Sequence, residues 1–161
     1  MPNDIKKDLK VWFADAKKVV LAGIGNPIRT DDYVGLKIVE HLKNKLPSTV
    51  LLLEAETVPE SYLQEITEFC PSHVLLIDAA YLNLKPGQAC LVEAEKVKSY
   101  SALTTHLLPL RIFCEYIKQA IDAKIGLLLI QPACMEFGEG LTNEVETSAE
   151  RLTKALMDLL G

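Results

Sequence analysis

Apolar residues along this chain follow two rhythms. Unbroken runs such as Val19-Val20-Leu21-Ala22, Val50-Leu51-Leu52-Leu53, Val74-Leu75-Leu76-Ile77 and Leu127-Leu128-Leu129-Ile130 stand between segments whose apolar positions recur every three or four residues. A strand covered on both faces needs apolar side chains at consecutive positions, whereas a helix lying on a sheet needs them on one stripe only. The runs therefore predict buried parallel strands at 19–24, 49–55, 74–80 and 126–130. Ile5, Leu9, Trp12, Phe13 and Ala16 predict a helix over 4–17, with Asn3 as its candidate cap. Val34, Ile38, Val39, Leu42 and Leu46 predict another over 32–46, ended by Pro47. A short helix through Cys70 and one carrying Ile112, Phe113, Tyr116, Ile117 and Ala120 follow. The last helix starts near Thr142-Asn143, where Asn143 and Glu146 have capping-box spacing, and runs through Val145, Leu152, Leu156 and Leu159. Residues 88–93 are shorter and mixed in polarity, which suits an edge strand that can run antiparallel.

Strands that alternate with helices imply an α/β fold, a three-layer α/β/α sandwich around a twisted, mostly parallel sheet of about five strands. No repeat, low-complexity tract or linker divides residues 1–161, so one domain is expected, with helix 4–17 packed onto a core of 18–161. A chain of 161 residues can bury roughly 70% of its unfolded surface without disulfides. Charge narrows the partners. The formal net charge is -5, with 17 Lys and Arg scattered among 22 Asp and Glu, so no basic face is available for nucleic acid. No apolar run approaches the ~20 residues of a membrane span, and Met1-Pro2-Asn3-Asp4-Ile5-Lys6-Lys7 lacks the apolar core of a secretion signal. A cytoplasmic protein is expected, monomeric and with no membrane partner. Cys70, Cys90, Cys114 and Cys134 form no CxxC pair and no zinc-site spacing, and they read as buried free thiols.

With right-handed crossovers, the carboxyl ends of strands one, three and five share one rim. That rim collects Asp31 and Asp32 after the Gly25-Asn26-Pro27 break, Asp78 at the end of strand three, Gln131 after strand five, and the loop with His106. Asp32, Asp78 and His106 are a plausible mixed oxygen and nitrogen site for a divalent transition metal, with positions left for water or substrate. Plainer roles stand beside this one. Asp31 and Asp32 can complement a helix amino end, Asp78 can cap a loop, and His106 can serve the start of a helix. His41 and His73 are assigned no chemistry. Other reaction classes fit less well. Ile28 stands where a GxGxxG fingerprint needs its third glycine, so a nucleotide-binding α/β enzyme rests on Gly23, Gly25 and Glu54 alone. There is no GxxxxGK[ST] loop and no GxSxG elbow, although Cys134 lies beyond Pro132 near the rim.

The sequence resembles the hydrogenase maturation endopeptidases, which trim the C-terminal extension from the precursor of the nickel-iron hydrogenase large subunit. The resemblance runs from Val19 to about Leu156 and rests on the joint order of short motifs. These are Gly25-Asn26 followed by Asp31-Asp32, Thr57-Val58-Pro59-Glu60, Leu76-Ile77-Asp78-Ala79 with Pro86-Gly87, Thr104-Thr105-His106 with Pro109-Leu110, and Ile130-Gln131-Pro132. It implies that Asp32, Asp78 and His106 contact metal, and that the metal is nickel already held by the precursor; cadmium or zinc could also occupy such a site. It implies further that nickel acts as a checkpoint for cleavage, with Asp32 or Asp78 as the catalytic base. Two positions depart from the family pattern, Tyr33 and Leu129, where glycine is usual, so a bulkier residue at 33 could narrow the cleft. A metal-sensing assembly factor that binds the precursor without cutting it is the non-enzymatic alternative.

Overall fold

The computed structural model describes residues 4–99 and 107–161, so Thr104, Thr105 and His106 lie outside the described residues. Five strands form one sheet: β1 (Val19–Ile24), β2 (Val50–Glu56), β3 (His73–Ala79), β4 (Ala89–Glu93) and β5 (Lys124–Ile130). Their order is β2-β1-β3-β5-β4, all parallel except β4, which runs antiparallel to β5 at one edge. Both expectations for the sheet, its parallel centre and the divergent strand 88–93, are met.

Alternation along each strand sends side chains into two separate cores. Val20, Ala22 and Ile24 of β1 and Val74 and Leu76 of β3 face helices α3 (Leu63–Phe69) and α4 (Leu107–Ala120), through Ile66, Phe113 and Ile117. Val19 and Leu21 with Leu75 and Ile77 face α1 (Ile5–Trp12), α2 (Val34–Leu42) and α5 (Asn143–Leu160), through Leu9, Ile38, Val39, Leu152 and Leu156. All six residues of β1 and all seven of β3 are buried. This is why their sequences show runs instead of alternation.

The helix ends differ from the sequence expectation for local reasons. α1 is capped by Asp4, not Asn3: the Asp4 carboxylate accepts from the Lys7 N–H at 3.2 Å. α2 begins at Val34, because Thr30–Tyr33 form a tighter 3-10 turn ahead of it, and it stops at Leu42, where Lys43 turns extended and Asn44 adopts a positive φ of 63°. α4 reaches back to Leu107. α5 has Thr142 as its cap residue, yet no capping box forms. The Thr142 hydroxyl is committed to Asp31 at 2.8 Å, and Glu146 accepts instead from the Lys37 ammonium at 2.8 Å. The thiols are free but not all buried: Cys90 and Cys114 are buried, Cys134 is half-buried, and Cys70 is exposed at the left-handed end of α3. Burial pushes the Cys114 thiol up to about 12.

His73 opens β3 at the end of the sheet opposite the candidate site and is only 1% exposed. Its Nε2 lies 3.1 Å from the Trp12 carbonyl and 3.3 Å from an Asp15 carboxylate oxygen, two acceptors, so Nε2 carries the proton. Nδ1 is 2.9 Å from the Ser72 hydroxyl. Ser72, His73 and Asp15 are not a nucleophilic triad, because Ser72 Oγ already accepts from the Lys17 N–H and lies 3.0 Å from the Lys18 carbonyl. Burial holds the His73 imidazole below its usual range, Lys124 works in the same direction, and Asp15 opposes both. A folded-state pKa below the unfolded value means that the unfolded chain takes up a proton first as pH falls. Stability is therefore full above about pH 6.5 and declines below it. Urea midpoints should fall between pH 7.5 and pH 5.5, and a His73→Gln variant should lose most of that dependence. A His73→Gln slope equal to the native one would assign the effect elsewhere.

Candidate active site

β1 ends on Ile24 and delivers the chain to a loop that curls around one carboxylate. Gly25 carries a φ of 138°, and a β-carbon there would overlap the Asp32 carbonyl, so only glycine lets the loop close. Its N–H donates to the Glu56 carbonyl at the end of β2, 2.8 Å away. Asn26 then does three things: its N–H donates to Asp32 Oδ2 at 3.0 Å, its side-chain oxygen accepts from the Ile28 N–H, and its carbonyl accepts from the Arg29 N–H. Asp32 ends up 2% exposed, two residues before the chain enters α2.

The second carboxylate comes from the neighbouring strand. Asp78 is fully buried in β3, and its Oδ1 accepts from the Ala79 N–H at 2.8 Å. Strand alternation turns its side chain toward the layer of α3 and α4. β1 and β3 are adjacent, and the chain leaves β1 for β2 on one side, then returns past it to β3 on the other. Asp32 and Asp78 therefore flank the point where strand order reverses, the crevice that open α/β sheets use for ligands. α2 is drawn hard against this point, because Gly23 and Gly35 leave no side chain between helix and sheet.

The other predicted rim residues prove to be framework. Asp31 is fully buried, and its carboxylate accepts from the N–H groups of Ala133, Cys134 and Thr142 at 2.8 to 3.0 Å as well as from the Thr142 hydroxyl. It is a clamp between two loops. Gln131 Oε1 accepts from the Leu82 N–H at 2.6 Å and fixes the loop after β3. Glu54, the last support for nucleotide binding, is paired with Lys43. Tyr33 does not reach across the cleft with its hydroxyl, which donates to Glu40 at 2.8 Å, two turns along α2 and away from the strand ends. Burial and the Glu40 carboxylate push that phenol up to about 12. Leu129 is buried in the sheet beside Asp78. Among the described residues no group of three His, Cys, Asp or Glu side chains could hold a metal. The third expected donor, His106, lies outside the described residues, one position before α4 begins.

Sequence reasoning missed the number of backbone donors that Asp31 gathers, because Ala133, Cys134 and Thr142 are about a hundred residues away and carry no local signal. Gly35 was also missed. A glycine inside an otherwise apolar helix is a signal of close backbone approach that could have found it.

Known proteins agree with this architecture. A family model described as hydrogenase maturation protease matches residues 36–159. A Methanocaldococcus jannaschii protein provisionally named as such a protease is 32% identical over 154 residues, spanning 91% of this chain and 90% of its own. The hydrogenase 3 maturation protease of Escherichia coli is 26% identical over 137 residues, spanning 85% and 87%. The crystal structure of a nickel-iron hydrogenase maturation protease from Thermococcus kodakarensis superposes with a TM-score of 0.86 at 32% identity, covering 95% of this chain and 98% of the other. Among the described residues no helix is long and apolar enough to cross a membrane. A sheet of this order, a buried acidic switch point and these relatives together place the chain in the hydrogenase maturation protease family, and its activity is that of a peptide hydrolase.

Proposed function

We propose that this protein removes the C-terminal extension of the nickel-loaded precursor of a nickel-iron hydrogenase large subunit, in the cytoplasm. The observation that carries the reading is the pair of buried carboxylates, Asp32 in the turn that follows β1 and Asp78 in the adjacent β3, at the switch point. The relative from Thermococcus kodakarensis is named for maturation of a nickel-iron hydrogenase, which supports nickel as the metal of the substrate.

Asp32, Asp78 and His106 form the donor set we assign to the substrate's nickel. Carboxylate and imidazole donors with open positions suit a divalent ion of that class. The metal arrives with the precursor, so the protein needs no resident ion. Docking would then position the scissile bond only when the precursor is loaded, which makes nickel a checkpoint. For hydrolysis, Asp32 or Asp78 acts as general base and takes a proton from the water that attacks the scissile carbonyl. Burial of both carboxylates keeps bulk water from competing at that position.

Intact-mass measurement tests the reading. Purified protein is mixed with precursor, loaded or unloaded with nickel. Loss of mass equal to a short C-terminal peptide is expected only from loaded precursor. Cleavage without nickel would keep the protease and remove the checkpoint, and a bound, loaded, uncut precursor would favour the assembly-factor alternative.

A further inference from the structure

The loops beside Asp32 are locked together more firmly than a solvent-facing rim requires. Residues 28–31 and 133–142 exchange hydrogen bonds along their length: Thr30 N–H to the Gly138 carbonyl at 3.0 Å, Gly138 N–H to the Ile28 carbonyl at 2.9 Å, and Asp31 N–H to the Cys134 carbonyl at 3.0 Å. The Thr30 hydroxyl donates to the Glu136 carbonyl at 2.6 Å, and Arg29 Nε to the Met135 carbonyl at 3.2 Å. The buried Asp31 carboxylate gathers the ends of the second loop. Thr30 holds a φ of 51°, a left-handed conformation that a β-branched residue adopts only when its surroundings impose it.

What this frame holds out is apolar. Phe137, at the tip of the second loop, is 77% exposed, and Ile28, on the first, is 53% exposed. The Arg29 guanidinium lies 5.1 Å from the centre of the Phe137 ring, where it stacks on the face and restrains it. An exposed phenylalanine on a floppy loop is commonplace, but one on a backbone fixed by a buried carboxylate is already ordered before anything binds. Ordering such a side chain beforehand removes part of the entropy cost of association. Aromatic and arginine side chains are also the usual anchors of protein interfaces.

We propose that Phe137, with Ile28 beside it and Arg29 stacked on its ring, is the anchor on which the large-subunit precursor seats itself next to the cleavage site. The proposal rests on the substrate reading given above. Its occupant follows from continuity: Ile28 stands two residues from Asn26, whose N–H donates to Asp32, so this exposed apolar side chain is carried by the loop that wraps the proposed catalytic carboxylate. Val58 and Tyr81, in the segments that follow β2 and β3, are exposed at 43% and 44%, so exposed apolar side chains recur after the same ends of the strands.

The test compares native protein with Phe137→Ala, Phe137→Tyr and, as a control for exposed apolar surface elsewhere, Val11→Ala. Binding of immobilised nickel-loaded precursor is read by interferometry, and cleavage by intact mass over a range of precursor concentrations. Phe137→Ala should raise Kd and KM at least about tenfold with kcat within about twofold, as loss of an anchor does. Phe137→Tyr and Val11→Ala should stay close to native. Kd and KM within twofold of native for Phe137→Ala would overturn the anchor. If native protein bound precursor without cutting it, the proteolytic reading would fail while the Kd comparison still decided the anchor. No binding by native protein would overturn both.

Discussion

Asp32→Asn is expected to lower cleavage of nickel-loaded precursor by about three orders of magnitude or more while leaving the fold intact. The size of the effect follows from two losses at one atom pair. An amide cannot accept a proton from water at neutral pH, and general-base catalysis alone is worth roughly 10²- to 10⁴-fold. An amide also carries no net charge for a divalent ion, so the proposed contact with the substrate's nickel weakens at the same time. The fold survives because the substitution is close to isosteric and the amide oxygen can still accept from the Asn26 N–H, as Asp32 Oδ2 does at 3.0 Å. The melting temperature should stay within a few degrees of native, and intact mass should show precursor uncut after times that suffice for native enzyme. A fully active Asp32→Asn protein would remove Asp32 from the reaction. Near-native stability is what separates this result from simple unfolding, so both readouts are needed.

The neighbouring carboxylate shows why sequence could rank these two residues only in part. Asp31 and Asp32 are adjacent, identical and buried, and nothing local tells them apart. Asp31 turns toward residues 133, 134 and 142, whose nearness is a product of the finished fold, while Asp32 turns back to the Gly-Asn loop six positions earlier, which is visible in the sequence. The reading of the rim took Asp32, and the family resemblance pointed to the same residue. The strand runs of β1 and β3 were legible because strands buried on both faces leave no polar position to mislead the reader. The helix ends were harder, since they depend on side chains with competing duties. Thr142 gives its hydroxyl to Asp31, and because the cap is Thr142 and not Asn143, Glu146 falls at the fourth helical position, past the place a capping box needs, and pairs with Lys37. The anchor loop was illegible for another reason: Phe137 sits in a polar, glycine-containing stretch, and only the hydrogen bonds to residues 28–31 show that it is held in place.

Gly35→Ala is expected to be strongly destabilising although it adds a single carbon. In an exposed helix the same change would help, since alanine is favoured over glycine by about 1 kcal/mol. Here a β-carbon would fall well inside 3.0 Å of the Ile77 carbonyl oxygen and 2.7 Å from that of Ile24. Both obstacles are backbone atoms of adjacent central strands, β3 and β1, and neither can rotate away as a side chain would. The first turn of α2 must therefore lift from the sheet, which opens the contact with Gly23 and weakens the packing of Val34, Ile38 and Val39, all fully buried. Overpacking of this kind costs about 1 to 3 kcal/mol where side chains can adjust and more where backbone must move, so the propensity gain is outweighed. A net loss of at least about 3 kcal/mol corresponds to roughly 6 to 12 °C in Tm for a domain of this size. Because Asp32 lies two residues before that turn and Asp78 follows Ile77, cleavage by the fraction still folded should fall as well. Differential scanning calorimetry gives the first quantity and cleavage per folded molecule the second. A Gly35→Ala protein with Tm within about 2 °C of native would show that α2 does not owe its seat to the absent side chain. Gly140→Ala is the matching control: nothing lies within 4 Å of its added carbon, so it carries only the strain of a φ of 82°. A markedly larger loss at position 35 than at 140 would assign the damage to contact with the carbonyl ends of β1 and β3.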